Sequence, residues 1–184
     1  MDYYLKKFTD KEIEEFKKIT DRKNKILDYN NLDKNFETRW IGIPCELAFR
    51  EFLDKNNFKY KHWTTFDRKD DRDFTIIQPS KFEIDVKGIS TNYFPRNEYA
   101  CNITEKQWIK LDKKENIVDT FVFVRYWLPE NTAIVVGAIS KSQFKEKCEY
   151  CVKGTERGKI VLSTNNYEVP INELKTIEEF FLPK

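Results

Sequence analysis

The stretch Glu83-Ile84-Asp85-Val86-Lys87, with Asp73-Phe74-Thr75-Ile76-Ile77 shortly before it, decides how this chain is read. In a β-strand, successive side chains alternate between the two faces. Ile84 and Val86 therefore point into a core, while Glu83, Asp85 and Lys87 share the other face. Three charges in a row on a covered face are costly unless they meet a metal ion or a charged substrate. Asp73 opens the preceding strand-like run, and Gln78-Pro79-Ser80-Lys81 supplies the turn between the two. Asp70 and Asp71 compete with it, but they sit in a charged turn, whereas Asp73 directly precedes the apolar residues.

Upstream, Pro44 suits the first turn of a helix, expected over residues 44–56. Its apolar face is Cys45, Ala48, Phe49, Phe52 and Leu53. Glu46 falls at the border of that face, where it can line a cleft between helix and sheet. An earlier helix over 10–29 is announced by the capping box Thr9-Asp10-Lys11-Glu12. Strands are expected at 58–64, 73–78 and 82–88, a loop at 90–102, and a helix capped by Thr104 and ending near 111. Apolar runs at 120–128 and 133–139 flank Pro129-Glu130-Asn131, a hairpin signal. A helix at 140–149, strands at 159–162 and 167–170, and a helix at 172–181 complete the order. The reading is one α/β domain spanning 1–184, with a mixed central sheet flanked by helices. It divides into an N-terminal helical extension (1–38), a core (39–128) and C-terminal β/α additions (129–184).

Composition narrows the function classes. The 33 basic and 31 acidic residues leave a net charge of +2, so a non-specific polycation is excluded. Any nucleic-acid contact must come from local basic patches. No run of about 18 apolar residues occurs and the N-terminus has no secretory pattern, so the sequence predicts a soluble, cytoplasmic protein without a membrane partner. Only five glycines are present, with neither a Walker A nor a G-x-G-x-x-G pattern, which disfavours a nucleotide cofactor. His62 is the single histidine, so chemistries needing His pairs are excluded, and its strand-like setting reads as structural. Cys148 and Cys151 form a lone C-x-x-C, and zinc sites usually need two such half-sites or nearby histidines.

Asp73, Asp85-Val86-Lys87 and Glu46, in this order of elements, resemble the PD-(D/E)XK nucleases. That family has a restriction-endonuclease-like αβββαβ core. In it a strand-opening Asp is paired with an Asp/Glu-x-Lys on the next strand. Branches similar to archaeal Holliday-junction resolvases add an acid from the preceding helix, which Glu46 in Gly42-Ile43-Pro44-Cys45-Glu46 resembles. The likeness covers about residues 40–128. Arg72 stands where the family name has proline. The Gln-x-x-x-Tyr pattern of one exonuclease branch is incomplete, since Gln107 is followed four positions on by Leu111.

The resemblance implies a Mg²⁺-dependent deoxyribonuclease, with Mn²⁺ able to substitute, that leaves 5′-phosphate and 3′-hydroxyl ends. Asp73, Asp85 and the Val86 backbone carbonyl would hold the metal, with Glu46 as an additional ligand, because Mg²⁺ prefers carboxylate oxygens and retained waters. Lys87 would orient the attacking water or stabilise developing charge. Glu83 is open between a second-metal ligand and a solvent-facing acid, the latter preferred. Gly88 would let a phosphodiester backbone approach. Tyr93 and Arg96, with Phe94 and Tyr99 beside them, follow the active strand and could stack on bases. Lys153, Arg157 and Lys159 form a basic turn suited to phosphate contact. DNA is the expected partner, with RNA left open, and the small size suggests a homodimer or service to a larger repair, restriction or mobile-element system. The rival reading is a catalytically silent nucleic-acid-binding or scaffold module of the same fold.

Overall fold

The apolar runs of the sequence supply the centre of a mixed six-stranded sheet in the computed structural model, which describes residues 3–26, 40–63, 72–157 and 160–182. Its strands are β1 (Tyr4–Lys7), β2 (Lys59–His62), β3 (Phe74–Gln78), β4 (Phe82–Thr91), β6 (Thr120–Trp127) and β7 (Thr132–Ser140), in the spatial order β1-β7-β6-β4-β3-β2. β4 and β6 run parallel, and the other neighbours are antiparallel. β6 is central and buried on both faces along almost its whole length, which is why it reads as a continuous apolar run rather than an alternating one.

The parallel pair requires a crossover. It is made by β5 (Ala100–Thr104) and α3 (Glu105–Leu111), where Thr104 and Gln107 form a reciprocal capping box. β5 belongs to a second, three-stranded sheet with β8 (Glu149–Cys151) and β11 (Asn166–Pro170). β9 (Glu156–Arg157) and β10 (Ile160–Val161) form a small hairpin. The remaining helices are α1 (Asp10–Ile26), α2 (Gly42–Lys55), α4 (Lys141–Lys147) and α5 (Ile177–Phe181).

The main sheet separates two cores. On one face, Cys45, Ala48, Phe49 and Phe52 of α2 pack with Phe74, Ile76, Ile84, Val122 and Phe181. On the other, Phe121, Phe123, Ile134 and Val136 pack with Trp108, Phe144, Cys101 and Val169. The even residues of β4 thus face α2, and its odd residues face the second core.

Several boundaries differ from the sequence reading. The expected loop at 90–102 begins as the end of β4 and closes as β5, because β5 pairs with β11, a partner remote in sequence. β1 escapes the pattern, being a four-residue edge strand that alternates half-buried and exposed positions. The last helix starts at Ile177, behind a 3₁₀ turn over Ile171–Glu173. The Pro129-Glu130-Asn131 signal becomes a 3₁₀ turn closed by Asn131 in the left-handed region. The expected end of the first helix at 27–29, the competing acids Asp70 and Asp71, and Lys159 lie outside the described residues.

Candidate active site

β3 is half as long as β4, and the difference creates the site. The two strands pair from Ile76↔Phe82 to Phe74↔Ile84, after which β4 continues to Thr91. Asp73 sits one residue beyond that last pair, its side chain beside Asp85. Its N–H donates to the Ile84 carbonyl at 2.8 Å, and its own carbonyl accepts from the Trp63 N–H at 2.8 Å. The Asp73 carboxylate then accepts the Val86 N–H at 2.7 Å, taking the place of the strand that has ended. N–H and C=O of one strand residue point to the same neighbour, so the Val86 carbonyl is directed to this same edge.

Asp85 and Lys87 project from the odd face of β4, with the ammonium 2.6 Å from Asp85 Oδ2 and side-chain exposures of only 10% and 14%. Burial pushes the Asp85 carboxyl up to about 7, with the Asp73 charge and a shared hydrogen bond adding to the rise and Lys87 opposing it. Two acids and one ammonium thus meet in a corner where the Asp85 and Lys87 side chains are largely shielded from solvent.

The donor set is oxygen only: two carboxylates and one main-chain carbonyl, which suits a hard divalent cation that keeps part of its water shell. Among the described residues, no group of three or more His, Cys, Asp or Glu side chains is arranged to hold a metal ion. Glu46 therefore does not join Asp73 and Asp85 in such a group. It lies on α2, half-buried, and its Oε2 is 3.0 Å from His62 Nε2. The His62 ring stacks on Phe74 at 4.4 Å, so this pair belongs to the α2 side of the sheet. His62 was legible as a strand residue, but nothing in its local sequence announced an acidic partner sixteen positions away.

Glu83 is neither solvent-facing nor open to a second metal. Its side chain is buried, with Oε1 paired to Lys81 at 3.1 Å and Oε2 held by Thr75 and Arg72. The hairpin register, which sets Thr75 opposite Glu83, is the signal that could have found this. Gly88 also has a different reason. A Cβ there would lie 2.7 Å from Cys45 Sγ, so the glycine admits helix α2 rather than a substrate backbone.

The more remote candidates divide. Tyr93 is strongly exposed, Arg96 is exposed as well, and Thr91 Oγ1 accepts the Tyr93 N–H. Phe94 packs edge-on against Trp127 and touches Tyr3, and the Tyr99 ring lies against the Arg125 guanidinium. Lys153 is exposed. Arg157 is committed elsewhere: it donates to Glu168 at 3.2 Å and to Cys151 Sγ at 2.9 Å. All four cysteines are free thiols, and among the described residues no helix is long and apolar enough to cross a membrane.

No protein-family model matches the chain, and no curated protein matches it either. The functional reading therefore rests on the chemistry of this corner and on the family resemblance of its residues.

Proposed function

We propose that the chain is a Mg²⁺-dependent nuclease with a restriction-endonuclease-like core, acting on DNA. The observation that carries this reading is the meeting of Asp73, Asp85 and Lys87 at the β4 edge where Val86 donates to the Asp73 carboxylate. The succession α2, β2, β3, β4, α3, β6 in a mixed sheet supports the same family, with β5 inserted in the crossover.

Asp73, Asp85 and the Val86 carbonyl would hold the cation, which when bound activates water and withdraws charge from the scissile phosphate. Asp85 has to be ionised to act as a ligand, and Lys87 favours that form by its charge. Lys87 has a second task, because its ammonium faces the space a phosphate would enter. There it stabilises the negative charge that grows as the phosphorus becomes five-coordinate. Asp73 keeps Val86 in position through its hydrogen bond, so the main-chain donor is fixed before substrate arrives. Tyr93, Arg96 and Lys153 are the exposed residues proposed to meet the nucleic acid. The described contacts of Arg157 favour a structural role instead.

The test is incubation with linear, circular, single-stranded and branched DNA, and with RNA, in Mg²⁺, Mn²⁺ or EDTA. Metal-dependent products with 5′-phosphate ends, lost in Asp85→Ala, are expected. Binding without cleavage in any metal would replace this reading with the silent nucleic-acid-binding module.

A further inference from the structure

We infer that Glu83, acting through Thr75, Arg72 and Trp63, is the positioning residue that holds Asp73 against the Val86 amide. The inference rests on the proposed site but concerns residues outside its ligand set. Glu83 Oε2 accepts the Thr75 hydroxyl at 2.6 Å and pairs with Arg72 Nη1 at 3.3 Å. The Thr75 hydroxyl in turn accepts the Trp63 indole N–H at 2.9 Å. The Arg72 guanidinium lies over that indole, 4.5 Å from the ring centroid. The Trp63 main chain bonds the Asp73 carbonyl. A closed circuit thus runs from Glu83 to two neighbours of Asp73: Arg72, which precedes it in sequence, and Trp63, whose N–H bonds its carbonyl. Glu83 is itself fixed to the next strand, its N–H bonding Asp119 Oδ2 at 3.2 Å and its carbonyl accepting the Asp119 N–H at 2.9 Å.

The expense of this arrangement is what assigns it to the site. Glu83 is a buried acid two residues from the buried acid Asp85, on the same face and about 7 Å along the strand. Apolar packing would stabilise the hairpin as well as a buried ion pair does, often better. A hydrogen-bonded ionic circuit fixes direction as well as proximity. Direction is what Asp73 requires, because its carboxylate must reach a single amide beyond the end of β3. Partners that orient a metal ligand without touching the metal typically contribute about 10–100-fold to affinity or rate.

The experiment follows the Val86 amide by hydrogen exchange in ¹⁵N NMR spectra of the metal-free protein. Asp73→Ala defines the rate with the acceptor gone. Thr75→Val and Glu83→Gln are expected to raise Val86 exchange at least about tenfold towards that limit, while the Asp85 and Lys87 amides, which face β6, stay protected. Thr75→Ser, which keeps the hydroxyl, should restore Val86 protection. In parallel, Thr75→Val should lower kcat and Mn²⁺ affinity by about tenfold or more with KM for DNA unchanged. Val86 protection at the parental level in both Thr75→Val and Glu83→Gln would overturn the inference. So would uniform loss of protection along β4, the mark of a merely structural role. A parent protein that cuts nothing would refute the proposed function alone, since the exchange result is read without activity.

Discussion

Replacing Asp85 by Asn should stabilise the metal-free protein at alkaline pH while abolishing cleavage. A carboxyl that ionises near 7 rather than at its ordinary 3.8 resists ionisation in place by about 4 kcal/mol, at about 1.36 kcal/mol for each pH unit. Below pH 3.8 Asp85 is protonated in both the folded and unfolded chain and contributes no slope. Between 3.8 and about 7 the folded state keeps a proton that the unfolded state has released, so stability falls as pH rises. Above 7 the full penalty is present. The amide of the Asp85→Asn variant carries no such term, and the penalty is already net of the Lys87 attraction, which lowers the Asp85 ionisation from what burial alone would give. The advantage at pH 8 is therefore at most about 4 kcal/mol, each kcal/mol raising Tm by about 2–4 °C for a chain of this size.

The assay is thermal unfolding of both proteins in EDTA from pH 4 to 8.5, taking the difference at each pH so that other titrating groups cancel. The difference should grow through the window and level off above it. Added Mg²⁺ should raise the parent's Tm at pH 8 and leave the Asp85→Asn variant unmoved, since a ligand stabilises only the state that binds it. Parallel curves for the two proteins across the range would refute the crowded-carboxylate account of the site.

Lys87→Ala should still bind metal, measured by calorimetry, while cleavage falls about 10²–10³-fold, the scale of losing one electrostatic stabiliser. Gly88→Ala should destabilise by about 1–3 kcal/mol in urea unfolding, because its new Cβ meets Cys45 Sγ at 2.7 Å; the double variant with Cys45→Ala should recover part of that loss. Arg157→Ala should cost about 1–3 kcal/mol of stability by leaving the buried Glu168 carboxylate short of a partner, and should leave the salt dependence of DNA affinity unchanged. Neutralising Arg96 and Lys153 together should flatten that salt dependence by about two counterions.

The parts of this fold written in local chemistry were legible, and the parts written in long-range pairing were not. The β3–β4 hairpin could be read because parity, turn residues and apolar runs agree over a few positions. The capping box at Thr9 and the cap at Thr104 likewise depend on residues three apart, and the structure adds Gln107 as the reciprocal partner of Thr104. β5 was missed because its partner β11 lies more than sixty residues away, and Ala100-Cys101-Asn102 carries little strand propensity of its own. The roles of Glu46 and Glu83 turned on which side chain meets them, and helix-border or strand parity cannot supply that. Parity put Glu83 on the face of Asp85 correctly, yet Thr75 and Arg72 decided what it does there.

Why a site should sit here follows from the unequal strands. Where β3 ends, β4 must find new partners for its main chain at the half-buried Val86. The N–H is satisfied by the Asp73 carboxylate, which brings an acid to the edge for reasons of backbone hydrogen bonding alone. Strand parity places Asp85 on the face that Asp73 reaches, where burial and the neighbouring Asp73 raise its ionisation above the ordinary carboxylate range. Lys87, one parity step on, opposes that rise. A strand that outruns its neighbour thus turns the Val86 carbonyl to an edge that also carries two carboxylates and an ammonium. These are the groups that a divalent cation and a phosphodiester need at one edge, and the stability they forgo is the measure of the function they are proposed to serve.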